Sequence, residues 1–391
     1  MAQSVTQSTL FPDRRTTNNA TTNQQPFSIF SGLGTSTTNS PVQNPAWVLQ
    51  PTIELCGHTD VTLIIGEEEQ PVRASVAVLR NAGPVWRAMF EPHWAESEAS
   101  EIFFPEDDVE AMLLVFRIAH LRFQDLPKKN GLTFKTLLNL AVVSDKYDVV
   151  HLVRPFLDLN GWAQKYAYPN YTGPNYASWL FIAWTFGYAT SFDALSRHLA
   201  FTLHVKKPFP GWTIYLTTHD FIVERDMPPD IMDSILQVRK NALAAGLKEC
   251  YAILDKAIAR TECVARTYSG KPKDAPECHS MIIGTLLSQM IFTELYPSRV
   301  QAQNTDWSVQ YLQETIGAIK PTTYESYDFA KLHDTSRHGK NPEEFRKCGL
   351  ISHALCGTLI DFAAAMRQVV SQMPSPMLDS HKRHMEEQAK K

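Results

Sequence analysis

The sequence predicts an α/β unit over residues 54–165 and a mostly α-helical region over 170–372, with a disordered leader before them and a flexible charged tail, 373–391, behind. Three observations carry this expectation. Short apolar runs such as Val61–Ile65 and Glu101–Phe104 alternate with segments whose apolar residues recur at i, i+3, i+4 and i+7. Beyond Gly161 the strand signals fade and the helical period takes over. Residues 1–50 differ from both: 26 of them are Ser, Thr, Asn or Gln, and only Asp13, Arg14 and Arg15 are charged. A segment with so few apolar anchors does not offset its ordering entropy, so disorder is expected to about Leu49.

Order begins near Cys56. Val61–Ile65 is a β-branched run stopped by Gly66, Glu67–Gln70 is a polar turn, and Pro71-Val72-Arg73 returns, which is a hairpin pattern. Ser75 to Asn81 gives a short helix with Val76, Leu79 and Ala82 on one face, and Pro84 opens a second through Trp86, Met89 and Phe90. Glu101–Phe104 is a third strand, closed by Pro105. Asp107 or Asp108 caps a helix bearing Val109, Met112, Leu113 and Phe116, and Thr133 caps one bearing Phe134, Leu137, Leu138 and Ala141. Phe116 and Leu138 are expected in the core. A further helix carries Leu152, Val153, Phe156 and Leu157.

In the second half, Asn175–Thr185 and Phe192–Val205 read as a helical hairpin broken near Gly187. Pro228-Pro229-Asp230 starts a long helix, Ile231 to about Ala265, with Gly246 as its weak point. Helices follow over Cys278–Leu295, Asp306–Ile319 and Leu350–Val370, and the chain after Pro374 reads as frayed. The absence of a fixed-period repeat argues against solenoids and propellers.

Composition narrows function. The net charge of -4, from 37 basic and 41 acidic residues, gives no case for wrapping nucleic-acid phosphates. No apolar run approaches the ~18 residues of a membrane span. Six thinly spread cysteines without a secretory signal read as reduced thiols, placing the chain in the cytoplasm or nucleus. No G-x-S-x-G elbow, P-loop, H-E-x-x-H or dinucleotide turn is present, so no enzyme is expected. The aromatic stretch Tyr166, Tyr168, Tyr171, Tyr176 and Trp179 has only Lys165 beside it and reads as inter-domain packing rather than a base-stacking platform. Lys382-Arg383-His384 reads as a solvated face.

One arrangement would hold an ion. His353 and Cys356 stand i, i+3 on one helix face, and Cys278 reaches them from the helix that it starts, giving three soft ligands for zinc. His279 and Cys348, five residues before His353, add soft ligands nearby, but no C-x-x-C knuckle accompanies them. The preferred reading is no cofactor, with small buried cysteines packing as hydrophobes.

Four ordered blocks carry a resemblance. Asp60–Gly66 resembles the opening strand of a BTB/POZ domain. Ala77–Phe90, an "AVL" helix, a Gly-Pro turn and a Met-Phe helix, resembles that family's most recognisable block. Glu101–Asp108 resembles its next strand and acidic cap, and Leu140–Tyr147 its "LAxxADKY" helix. Ser75 stands where many members carry His, a departure shared with fungal members, and can serve as an N-cap. The helical 175–265 region is similar in placement to the extension that follows many such domains. The resemblance implies a protein–protein interaction module that homodimerises, and in some members a ubiquitin-ligase adaptor bound to a cullin scaffold. Met89, Phe90, Trp94 and Glu96 sit where adaptor members meet the cullin, and a protein substrate of unknown identity would complete the assembly. The alternatives are a dimeric scaffold or transcription-associated regulator without cullin, and an enzyme hidden in the helical half.

Overall fold

The computed structural model describes residues 50–129, 131–166, 176–207, 213–216, 221–222, 227–260, 263–265, 276–323, 325–327, 350–358 and 360–391. The predicted leader, Tyr168, Tyr171 and Cys348 lie outside them.

The N-terminal unit is built on a mixed sheet of order β1-β3-β2-β4: β1 Ile53–Glu54, β2 Val61–Ile65, β3 Gln70–Ala74 and β4 Glu101–Phe104. β2 and β3 form the expected hairpin, with Leu63 opposite Val72, and β4 runs parallel to β2, with Ile102 opposite Leu63. Val61, Leu63 and Ile65 alternate inward, so one face of β2 is core. Gly66 turns the strand at φ +73°, and a Cβ there would meet Val109 Cγ2 at 2.8 Å, so the turn takes glycine. The two-residue β1 pairs parallel to β3 and is too short for a periodic signal.

Helices α1 Val76–Ala82 and α2 Pro84–Met89 follow, then α3 Val109–Ala119, α4 Phe134–Lys146 and α5 Val150–Asn160. Ser75 does not cap α1 through its side chain; Asp60 Oδ1 accepts the Val76 amide at 2.7 Å instead. Asp108 caps α3 and Thr133 caps α4. Asp107 does not cap. Its buried carboxylate accepts from Tyr147 Oη at 2.5 Å and Lys146 Nζ at 2.8 Å, tying the start of α3 to the end of α4. Phe116 is fully buried, its ring centroid 5.3 Å from that of Trp86. Leu138 is only half-buried. The inner stripe of α4 runs through Leu137, Leu140, Ala141 and Ser144, and position 138 sits about 100° round from Leu137.

The second half contains α6 Tyr176–Thr185, α7 Ala189–Thr202, α8 Ile231–Ala259, α9 Pro276–Phe292 and α10 Val309–Ala318. Strands do occur here: β5 His204–Lys206, β6 Ile214–Leu216 and β7 Phe221–Ile222 pair antiparallel, as do β8 Glu325–Tyr327 and β9 Leu350–Ser352. Each spans three residues or fewer, below the length at which alternation is readable. The expected helix Leu350–Val370 is therefore β9, a short α11 Ala354–Thr358 and α12 Phe362–Ser371. Gly246 is no weak point: α10 and α12 cross α8 there, and a Cβ would meet Met366 Sδ at 2.7 Å and Leu312 Cδ2 at 3.1 Å. Tyr166, Tyr176 and Trp179 are buried in the core shared by the N-terminal unit and α6–α8.

The tail is not frayed. Asp379–Lys390 forms α13, which packs against α5, α6 and α7. Met385 is fully buried, and His384 stacks on Trp184 at 3.9 Å with 9° between planes. His381 takes the Leu378 amide on Nδ1 and donates from Nε2 to Pro229 O at 2.7 Å. Arg154 donates to Gln388 O at 3.0 Å, and Lys391 reaches Asp148. One apolar anchor and two half-apolar histidines hold a sequence whose mean hydropathy is low, so charge content misled the expectation. Residues 50–391 form one compact unit.

Candidate metal centre

Three separate segments converge at one end of the second half. α8 stops at Ala259, short of the expected Ala265, and Arg260 turns extended at φ -78°, ψ 117°. That early stop releases Cys263 from the helix. α9 begins at Pro276, so Cys278 lies in its first turn. β9 delivers His353, whose carbonyl accepts the Cys356 amide at 2.8 Å as α11 begins. The His-x-x-Cys pair thus forms a strand-to-helix turn rather than the face of a long helix.

The ligand atoms of Cys263, Cys278, His353 and Cys356 all lie within 4.8 Å of one another. Cys263 Sγ is 3.1 Å from His353 Nδ1 and 3.7 Å from Cys356 Sγ. A tetrahedral ion with bonds of ~2.3 Å to sulfur and ~2.0 Å to nitrogen separates its ligand atoms by about 3.5–3.8 Å, so the cluster has the size of such a site. Cys278, His353 and Cys356 are buried and Cys263 is partly exposed.

The electrostatics set the three thiols apart. Burial pushes Cys278 up to about 12, and burial, reinforced by the neighbouring Cys356, raises Cys263. For Cys356 burial acts in the same direction, but hydrogen bonds from the Val264 amide, the Cys263 and Cys278 thiols and the Ala265 amide outweigh it and hold the group below the ordinary thiol range. Backbone amides aimed at sulfur stabilise thiolate and orient it. Three thiolates in this space repel unless a cation lies between them. The cluster can therefore hold protons or a soft cation.

A cavity of about 270 Å³ borders the cluster, lined by Cys263, Cys278 and Cys356 with Lys256, Arg260 and His279. His279 is not a fourth ligand; its Nε2 lies 3.2 Å from Ala257 O. Of the three ligands read from the sequence, all are present, and Cys263 is the one missed. No spacing rule pointed to it. The signal was only that Cys263 and Cys278 flank a Gly/Pro/Lys-rich stretch that no helix could cross.

The partner-contact residues are less well grouped. Trp94 is 52% exposed on the turn before a short 3-10 segment, Ala95–Ser97, and Glu96 is half-exposed within it. Met89 is half-buried at the end of α2, whereas Phe90 belongs to the core at 4% exposure and offers no surface to a partner. No helix among the described residues is long and apolar enough to cross a membrane. Neither models of known families nor curated proteins give a match to this chain.

Proposed function

We propose that the chain is a non-enzymatic protein–protein interaction protein with a BTB/POZ-type N-terminal unit, acting as a dimer in the cytoplasm or nucleus. The observation that carries this reading is the order and placement of elements in residues 53–160. A β2–β3 hairpin, the paired short helices α1 and α2, β4 alongside β2, and then α3–α5 occur in the sequence that the four resembling blocks require. Trp94 supports an adaptor role: a large aromatic left half in solvent beside a carboxylate is the composition of an interface anchor. With Phe90 in the core, the cullin-type contact reduces to Trp94 and Glu96, with Met89 at its edge. A protein substrate would then be recognised elsewhere on the chain.

The ion that best suits the second half is zinc. Three thiolates and one imidazole select a soft, four-coordinate cation over calcium or magnesium. Four protein ligands leave no open position, so the role is structural rather than catalytic.

The test uses the full chain. Sedimentation at tens of micromolar should give a dimer, and a strict monomer refutes that part. Cullin should be retained by wild type and bound roughly 30-fold more weakly by Trp94→Ala/Glu96→Ala, a loss of ~2 kcal/mol. Wild type without cullin affinity leaves a dimeric scaffold or transcription-associated regulator. Elemental analysis should find one zinc per chain.

A further inference from the structure

The four ligands of the centre are unequally placed. Cys278, His353 and Cys356 are buried and Cys263 is partly exposed; Cys263, Cys278 and Cys356 all line the cavity of about 270 Å³. The Cys263 sulfur lies 3.7 Å from that of Cys356, so a movement of under ~2 Å brings the pair to the ~2.05 Å of a disulfide.

We propose that the zinc centre is a thiol switch, opened by a hydroperoxide at Cys263 and closed into a Cys263–Cys356 disulfide as the ion departs. This rests on the zinc reading above. In the first step the Cys263 thiolate attacks the peroxide. An S–O bond forms as the O–O bond breaks, leaving a sulfenic acid and an alkoxide (hydroxide when the oxidant is hydrogen peroxide) that takes a proton from water. In the second step the Cys356 thiolate attacks the Cys263 sulfur. The S–S bond forms as the S–O bond breaks, and hydroxide leaves and is likewise protonated. The two sulfurs together supply the two electrons that reduce the peroxide. Zinc, left with Cys278 and His353, has lost half of its ligands and is released. The new bond joins the end of α8 to the turn before α11.

The experiment treats the zinc-loaded full chain with hydrogen peroxide in the presence of a chromogenic chelator, with peptide mass spectrometry on the same samples. Expected is one zinc released per Cys263–Cys356 disulfide formed, reversed by a dithiol with added zinc. Cys263→His keeps four ligands but removes the attacked sulfur, and should slow release roughly tenfold or more. Zinc retained while other thiols oxidise overturns the switch, as does a Cys278-linked disulfide or equal release from Cys263→His. Should Cys263→His fail to hold zinc, the wild-type disulfide map decides alone. A chain that neither carries nor takes up zinc refutes the zinc reading itself, an outcome distinct from zinc that is bound but not released.

Discussion

Replacing Tyr147 by Phe removes one oxygen from a buried polar contact of the N-terminal unit. The ring remains 5.2 Å from Trp86 and edge-on to Phe104 at 6.1 Å, so packing is preserved. What is lost is the 2.5 Å hydrogen bond to the Asp107 carboxylate, whose side chain is 4% exposed. A buried hydrogen bond to a charged acceptor contributes about 1.5–3 kcal/mol, so Tyr147→Phe should cost about 2 kcal/mol. Lys146 meets the same carboxylate at 2.8 Å, but its side chain is 45% exposed, and pairs in that setting contribute ~0–1 kcal/mol. Lys146→Met should therefore cost clearly less than Tyr147→Phe, although it removes a full charge. Equilibrium urea denaturation of the full chain, with unchanged slopes, gives both values, and the double variant gives their coupling. A neutral Tyr147→Phe beside a costly Lys146→Met would refute the argument, because the exposed lysine would then be the partner that holds Asp107.

Other outcomes are equally definite. Phe116→Ala should cost ~3–5 kcal/mol, and Leu138→Ala distinctly less because that side chain is half in solvent, both measured by the same denaturation. Gly246→Val should destabilise by ~2 kcal/mol or more, since its Cβ alone would come to 2.7 Å from Met366 Sδ, and the melting curve reads this directly. Burial against Trp184 lowers the pKa of His384, helped by Lys391. The unfolded chain then binds this proton more readily than the folded one, so the group's contribution is complete above the ordinary histidine value and is lost as pH falls below it. His384→Phe keeps the stack without the proton, and its stability should fall less than wild type between pH 7.5 and pH 5.5. Chelating zinc should lower the melting temperature of wild type and leave Cys356→Ser, already without the ion, unchanged.

The N-terminal unit was largely legible because its signals are local. β-branched alternation in β2, Pro84 at a helix start, and Asp108 and Thr133 at caps each constrain a few neighbouring residues. The helix face of α4 was read correctly through Leu137 and Ala141, but Leu138 was placed in the core because Leu137 and Leu138 are both leucine and periodicity alone does not rank them. Three of the four residues of the candidate metal cluster were legible, although the preferred reading of the sequence was no cofactor. His353, Cys356 and Cys278 stood out as soft ligands, but Cys263 became available only through the early end of α8, which propensity did not announce. The secondary structure around His353 was misread because Leu350-Ile351-Ser352 is apolar enough to suit either a strand or a helix. The docking of α13 had the weakest signal of all, since it depends on long-range contacts from a few residues within a charged run.

That late contact has a consequence for the order of synthesis. α13 is translated after every other described element, yet it packs against α5, α6 and α7 with Met385 fully buried. At ~5–20 residues per second, roughly 10–50 s pass between the emergence of α5 and that of α13. Throughout that interval the Trp184 ring lacks the His384 imidazole that stacks on it, and the Arg154 guanidinium lacks the Gln388 carbonyl. The N-terminal half is therefore completed by the last described helix, and a nascent chain stalled before residue 379 leaves the Trp184 ring without its cover, however well its own sheet has formed.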